Sequence, residues 1–177
     1  PTGPRSYQWH ATERATLIWS EAQDGGNPKT EAPYRDVIFA LPAPFERQGR
    51  EIARTEYRFT DIAWTQDGTA LITERDRNTH WTRTRIRYPG GGDLRSLFDR
   101  SAEDRYDDPG TPLRSPGGGV ASSTILQDGD AIYFAGSGAS DDGDRPFVDR
   151  LNLTTLATER LFQTAPGSYE SVAGVLS

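Results

Sequence analysis

Apolar and polar residues alternate in short runs along most of the chain, and a sustained helical period is hard to find. Runs of β-branched and aromatic residues are separated by clusters of Gly, Pro, Asp and Asn, a pattern that predicts strands joined by turns. Residues 60–64, for example, alternate between two unlike faces, as in a half-buried strand. The predicted strands cover residues 5–9, 15–21, 36–41, 51–56, 60–64, 70–74, 82–88, 94–98, 120–126, 131–135, 147–153 and 159–164.

Three segments of the chain repeat one plan, which is an outer hairpin. Their sequences are RDVIFAL followed by REIARTE, then TRTRIRYPGGGDLRSLFDRS, and last PFVDRLNLTTLATERLFQT. The second strand of each hairpin carries two adjacent apolar residues that we expect in the core, namely Ile52-Ala53, Leu97-Phe98 and Leu161-Phe162. An inner hairpin containing tryptophan precedes the first two copies, and Asp67-Gly68 is predicted to form a tight turn in the second.

The repeat predicts an all-β fold made of β-propeller blades, each with four antiparallel strands. Units of roughly 45–60 residues with four strands are typical of such blades. We expect blades at residues 1–58, 59–101 and 102–165, with residues 166–177 opening a further one. A propeller usually closes with ~4–8 blades, and the chain begins at Pro1 and contains no methionine. We therefore expect this partial propeller of about three blades to belong to a larger molecule.

Composition excludes several functional classes. The net charge of −6, with both signs interspersed, argues against a nucleic-acid-binding role, which usually shows a basic domain. No run approaches the ~18 apolar residues of a membrane span, so we expect no membrane partner. Cysteine is absent, which excludes disulfides and thiolate metal sites.

Candidate catalytic and metal-binding residues are few. The nucleophile elbow of α/β-hydrolases needs the pattern G-x-S-x-G, and the segment beginning at Gly138-Ala139-Ser140 lacks its last glycine. His10 and His80, each in a predicted strand or at a strand end, could act as a general base or as metal ligands. Neither has a neighbouring ligand at metal-site spacing, and we interpret them as ordinary propeller histidines. Residues 140–144 (SDDGD) lack the ligand series of a calcium loop. We therefore predict no catalytic residue, no metal and no cofactor in this chain.

Arg83, Arg85 and Arg87 share one face of a predicted strand, because side chains on a strand repeat every two residues. One interpretation is a row of ion pairs to carboxylates on the neighbouring strand. The alternative is that the row guides acidic peptides electrostatically. Both interpretations stay open at this stage.

Four segments of the chain have a specific character, namely GPRSYQWHATERATLIWSEAQDGGNP, RDVIFALP, GSGASDDGDRPFVDRLNL and above all LFDRSAEDRYDDPG at residues 97–110. In these segments the chain resembles the propeller of glutamyl endopeptidases, serine peptidases related to prolyl oligopeptidase. The resemblance implies that the propeller caps an α/β-hydrolase domain with a Ser-Asp-His triad, which lies outside this chain. It also implies that the propeller restricts access to peptides and loosely folded segments, and that cleavage follows glutamate.

The partners implied by the resemblance are the remainder of the parent peptidase and its peptide substrates. From the resemblance we expect a bacterial periplasmic or secreted location, and a cytoplasmic one stays open. A second hypothesis is a stand-alone propeller that acts as an interaction or ligand-binding scaffold and self-associates through its open blade faces. The fold alone does not separate these hypotheses, because propellers host many functions.

Overall fold

The computed structural model describes residues 3–116, 124–168 and 170. Over these residues the protein is all-β without a helix, and its three antiparallel sheets of four or five strands confirm the predicted all-β class and are consistent with a partial β-propeller. The strands are β1 (Arg5–Trp9), β2 (Thr16–Ala22), β3 (Asp36–Pro42), β4 (Arg50–Thr55), β5 (Arg58–Trp64), β6 (Ala70–Asp76), β7 (Trp81–Arg87), β8 (Arg95–Ser101), β9 (Thr111–Pro112), β10 (Gln127–Asp128), β11 (Ala131–Gly136), β12 (Phe147–Asn152) and β13 (Thr158–Gln163).

The first two sheets are four-stranded meanders in chain order, β1-β2-β3-β4 and β5-β6-β7-β8. Such an order needs only short connections between neighbouring strands. The predicted turn at Asp67-Gly68 is confirmed between β5 and β6, where Gly68 adopts φ 87° and the Asp67 carboxylate accepts a hydrogen bond from Thr69 N at 2.9 Å.

The buried core of the first two sheets is formed by one face of each. In β2 and β3 the side chains Ile18, Ile38 and Ala40 are fully buried, whereas Leu17, Trp19, Phe39 and Leu41 on the other face are only partly buried. The fully buried side chains cluster with Ile62 and Ile72 of the second sheet. Burying an aliphatic side chain of this size contributes about 1.5–3 kcal/mol, so this alternation holds the two sheets together.

The opposite face of the first sheet carries aromatic rings. Trp19 stacks on Phe39 with ring centroids 5.5 Å apart, and Tyr7 lies 6.5 Å beyond. Trp9 is 64% exposed and contacts the ring of Phe45. Trp64, in contrast, is 3% exposed and belongs to the core, so the chain's tryptophans have unlike environments.

The third sheet has the order β10-β11-β12-β13, and β9 pairs with β11 as well. Two short strands therefore pair with β11 at different points along it. β9 pairs with Phe134 and Ala135, and β10 pairs with Ala131 and Ile132. The sequence did not predict β9. The predicted strand at 120–126 and the predicted start of a further blade at 166–177 lie largely outside the described residues.

The prediction that Leu161-Phe162 is a core pair is wrong. Leu161 is 46% exposed and Phe162 42% exposed, and every residue of β13 is exposed. β13 is the outermost strand of its sheet, and adjacent residues of a strand point to opposite faces. Leu161 and Phe162 therefore lie on the two faces of an edge strand, and both faces are exposed. In the first copy of the repeat, by contrast, Ala53 belongs to the core and Ile52 packs against it.

The chain divides into two compact units, residues 1–99 and 100–177. The first unit contains the first sheet and most of the second, and the other contains the third sheet. Among the described residues, no helix has the length and apolar character needed to cross a membrane.

Candidate functional site

The first unit contains a pocket of about 680 Å³ at the end of its sheets where β1, β3 and β5 begin. Five arginines line it together with two carboxylates and several apolar side chains, and we refer to it as the arginine pocket. Its lining residues are Arg5, Gly26, Pro28, Ala32, Arg35, Glu56, Tyr57, Arg58, Phe59, Thr60, Arg75, Asp76, Arg77 and Asn78.

Two buried carboxylates, Asp24 and Asp36, form the floor beneath the arginine pocket, and both side chains are fully buried. Asp24 pairs with Arg35, whose Nη1 lies 2.9 Å from Asp24 Oδ2, and with Arg58. Asp24 Oδ1 also accepts a hydrogen bond from Gly26 N at 3.0 Å. Burying a carboxylate without such partners would cost several kcal/mol, so the arginines are what makes this floor stable.

Asp36 links the two sheets from the first residue of β3. Its Oδ1 accepts hydrogen bonds from Arg5 and from Arg58 Nη1, the latter at 3.0 Å. Its Oδ2 accepts a hydrogen bond from Phe59 N at 2.8 Å. One carboxylate thus fixes the start of β1, β3 and β5 at the base of the pocket.

The floor holds Asp24 in its charged form. Burial opposes its ionisation, but hydrogen bonds from Arg58 and Arg35 outweigh this effect and lower the pKa of Asp24 below its usual 3.8. For Arg58, burial opposes the charge as well, and hydrogen bonds to Asp24 and Asp36 raise its pKa. Asp24 and Arg58 are therefore both charged at neutral pH.

The rim of the arginine pocket is built differently. Arg75 and Arg77, at the end of β6 and just after it, are exposed. Within the part of the chain that the structure describes, neither side chain makes an ion pair. Asp76 lies between them, and its carboxylate accepts a hydrogen bond from Asn78 N at 2.8 Å.

Arg83, Arg85 and Arg87, the predicted guidance residues, lie along β7 on the face that meets the first sheet. Arg83 Nη1 lies 2.7 Å from Glu56 and its Nε 3.0 Å from Asp99. Arg85 Nη2 lies 3.1 Å from Glu56 and 2.9 Å from Glu74.

Arg87 has no acidic partner of this kind in the structure as described. Its Nε donates to the carbonyl oxygen of Ile52 at 2.8 Å, and burial lowers its pKa. The structure thus brings the row together on one face, where Arg83 and Arg85 form ion pairs with Glu56, Glu74 and Asp99, and Arg87 contacts the first sheet through Ile52 O.

Glu74 is a buried carboxylate beside this row, with a side chain that is 1% exposed. Its Oε2 accepts a hydrogen bond from Tyr57 N at 2.6 Å, whereas Oε1 is close to Arg85 without the geometry of a hydrogen bond. Burial outweighs these attractions and raises the pKa of Glu74 above 4.5. Glu74 therefore contrasts with Asp24, whose pKa is lowered.

The two histidines do not meet. His10 is buried with its ring 3.7 Å from that of Trp64, and its Nδ1 accepts hydrogen bonds from Thr12 N at 3.2 Å and Glu13 N at 3.1 Å. Burial lowers the pKa of His10, so the ring serves as a neutral acceptor that closes the turn after β1. His80 lies in the exposed turn between β6 and β7.

The stretch 140–144 forms a turn between β11 and β12. Ser140 Oγ donates to Gly143 O at 2.6 Å, and Ser140 N and Gly143 N each donate to the other's carbonyl oxygen. Asp141 and Asp144 accept from Tyr106 and Arg105, both at 3.2 Å. These contacts link the turn to the segment 97–110 within the second unit.

Sequence reasoning missed the arginine pocket. Arg5, Arg35, Arg58 and Arg75 are far apart along the chain and share no motif. The available signal was the position of these four arginines, since each lies at the end of a strand or within one residue of it. Asp36, directly before an apolar run, was a second signal.

Comparisons with known proteins bear on what this architecture serves. The chain is 35% identical to a probable chloroplastic glutamyl endopeptidase of Arabidopsis thaliana and 34% identical to one of Oryza sativa subsp. japonica, in each case over 99% of its own length. The similarity supports the glutamyl endopeptidase family. The chain spans about a fifth of the length of these curated relatives. No family model matches the chain.

Proposed function

We propose that this chain is the non-catalytic propeller portion of a glutamyl endopeptidase-like serine peptidase of the prolyl oligopeptidase type. The observation that carries the proposal is similarity over 99% of the chain to a fifth of relatives with that name. The blades of the proposal are the segments 1–58, 59–101 and 102–165. A hydrolase domain with the catalytic triad would then lie elsewhere in the parent protein.

The contribution of the propeller would be exclusion and positioning. A cap over the catalytic cavity limits the size of substrates and shields the reaction from bulk water. Its sheets suit this role because they are held by a buried aliphatic core and by charged contacts such as Asp36 with Arg58. A rigid cap admits peptides and excludes folded proteins.

Electrostatic guidance by Arg83, Arg85 and Arg87 is the second part of the proposal. The first two arginines each contact two carboxylates, which reduces the field they project. Changing all three to glutamine in the parent enzyme should lower kcat/KM for acidic peptides and weaken its salt dependence. Unchanged values of both would exclude guidance by this row.

An alternative function is a stand-alone interaction scaffold. The observation that favours it is the exposed rings of Tyr7, Trp9 and Phe45 on the first sheet. Exposed apolar surface of this kind often marks a contact site. A scaffold that closes a ring by self-association would show a molecular mass that rises with protein concentration. A cap within a peptidase does not need to self-associate, so its mass need not depend on concentration.

The experiment that separates the two functions is an assay of the full-length protein that contains this chain. We expect it to cleave peptides after glutamate and to react covalently with a serine-directed fluorophosphonate probe. Folded substrates with the same sequences should be cleaved far more slowly. A full-length protein that neither cleaves these peptides nor reacts with the probe would exclude the peptidase proposal.

A further inference from the structure

We propose that the arginine pocket binds an acidic segment of a peptide, with Arg75 and Arg77 contacting its side-chain carboxylates. This inference rests on the proposed function and deepens it, because it assigns acidic peptides to a definite place. It is carried by a local excess of positive charge in a recess of the first unit.

The first step concerns the floor of the pocket. Three guanidinium groups, those of Arg5, Arg35 and Arg58, share two carboxylates, Asp24 and Asp36. The buried Arg5 Nη1 has no hydrogen-bond partner among the described residues. A buried donor without an acceptor is costly, and three guanidinium groups on two carboxylates leave the floor with a net positive charge beneath the pocket.

The second step concerns the rim. Arg75 and Arg77 make no ion pair within the described residues, whereas the lining carboxylates are already occupied. Glu56 contacts Arg83 and Arg85, and Asp76 accepts from Asn78 N. The chain as a whole carries −6, so this positive recess runs against the overall charge. Arginines outnumber carboxylates five to two in the lining, and a recess with a net positive charge concentrates ligands of the opposite sign.

The third step concerns the class of ligand. A guanidinium group presents paired donors that match a carboxylate or a phosphate. The apolar surface of Pro28, Ala32 and Tyr57 in the same lining suits the backbone and methylene groups of a peptide. A volume of about 680 Å³ falls within the usual range of ligand pockets, ~300–1,000 Å³. These features favour an acidic peptide over a compact phosphate.

The test uses the full-length protein, treated with a serine-directed phosphonylating reagent so that a bound peptide stays intact. Fluorescence anisotropy would measure the Kd of a labelled peptide rich in glutamate, and of the same peptide with glutamine in place of glutamate. Arg75→Gln with Arg77→Gln is the test variant. Arg14→Gln with Arg47→Gln is the matched control, because these arginines are also exposed, lie outside the pocket and give the same change in net charge.

We expect the Arg75→Gln, Arg77→Gln variant to raise the Kd of the acidic peptide about tenfold or more, as for lost charge-assisted hydrogen bonds. The control variant should change this Kd less than about twofold, because its arginines are exposed, lie outside the pocket and are screened by salt. The glutamine peptide should bind weakly to all three proteins. Inorganic phosphate at a concentration equal to that of the peptide should not displace it.

Three results would overturn the inference. The first is an unchanged Kd of the acidic peptide in the Arg75→Gln, Arg77→Gln variant. The second is an equal rise of this Kd in the control variant. Displacement by inorganic phosphate at equal concentration would instead identify a site for small anions. The binding measurement does not depend on cleavage, so a full-length protein without glutamyl peptidase activity would refute the proposed function separately from the pocket.

Discussion

Arg58 at the start of β5 forms an ion pair with Asp24, a residue 34 positions earlier in the chain, in the loop after β2. The same guanidinium group also contacts Asp36 at 3.0 Å. One arginine of the second sheet therefore fixes a loop and a strand of the first. This contact makes the floor of the arginine pocket part of the structural connection between the sheets.

The first prediction follows from this contact. Asp24→Asn should lower the free energy of unfolding by about 3 kcal/mol, because loss of one charge leaves two arginines facing a buried neutral group. Urea denaturation of the protein carrying the substitution measures the change. Glu51→Gln is the matched control, since Glu51 and Arg54 form an ion pair at the surface and such pairs contribute about 0–1 kcal/mol. Equal effects of the two substitutions would contradict this role for the floor.

The second prediction concerns pH and Glu74. Burial raises the pKa of Glu74 above 4.5, so the folded state binds this proton more tightly than the unfolded state does. The resulting stabilisation is fully present below pH 4.5 and is lost as the pH rises through the folded pKa. Glu74→Gln should remove this loss. The variant should therefore gain stability relative to the wild type as the pH rises from 4.5 through the folded pKa of Glu74.

Glu51→Gln is the control for Glu74→Gln, because the pKa of Glu51 is lowered whereas that of Glu74 is raised. The hydrogen bond from Arg54 lowers the pKa of Glu51, so its contribution is present above pH 4.5 and is lost as the pH falls through the folded pKa. Urea unfolding at a series of pH values should therefore show the two differences changing in opposite senses. A Glu74→Gln difference that is constant with pH would refute the prediction.

The third prediction concerns Gly110, which adopts φ 77° in the segment that carries the family resemblance. A Cβ at this position would lie 2.2 Å from the carbonyl oxygen of Ala135. Gly110→Ala should therefore cost about 3 kcal/mol, from backbone strain together with steric overlap. Gly129→Ala has a similar φ of 59° but open space around the Cβ and should cost only about 1–2 kcal/mol. Thermal or urea unfolding measures the stability lost in each variant. Equal losses would argue against the close approach of a Cβ at position 110 to the carbonyl oxygen of Ala135.

The fourth prediction concerns His10. Its Nδ1 accepts two backbone hydrogen bonds, so His10→Ala should leave two N–H groups without this acceptor and cost about 2 kcal/mol. His10→Asn places an oxygen acceptor near the same position and should recover part of that loss. Urea unfolding of both variants provides the comparison. Identical losses would show that packing against Trp64, and not the acceptor, is what matters.

The sequence predicted the strands well where apolar alternation was strong. The predicted strand at 5–9 coincides with β1, and those at 36–41 and 70–74 fall within β3 and β6. β9 was missed because Thr111–Pro112 is only two residues long, follows a turn signal and contains proline, which lacks an N–H donor. Short strands of this kind depend on a distant partner, here β11, which local sequence does not reveal.

The site was harder to predict than the fold. The two-residue period placed Arg83, Arg85 and Arg87 on one face, but it did not show that this face meets Glu56 of the preceding sheet. The arginine pocket joins residues from three separate strands and their connections. Such a grouping follows from how the strands are ordered in space, and no spacing along the chain encodes it.

Only Glu56 and Tyr57 separate β4 from β5, and both line the arginine pocket. An inserted residue at this point would shift Arg58 and break its contacts with Asp24 and Asp36. The other connections that line the pocket, residues 23–35 after β2 and 77–80 after β6, are longer and do not set the position of Arg58 in this way. Relatives of this protein should therefore keep the spacing between β4 and β5 and differ in length at those two connections.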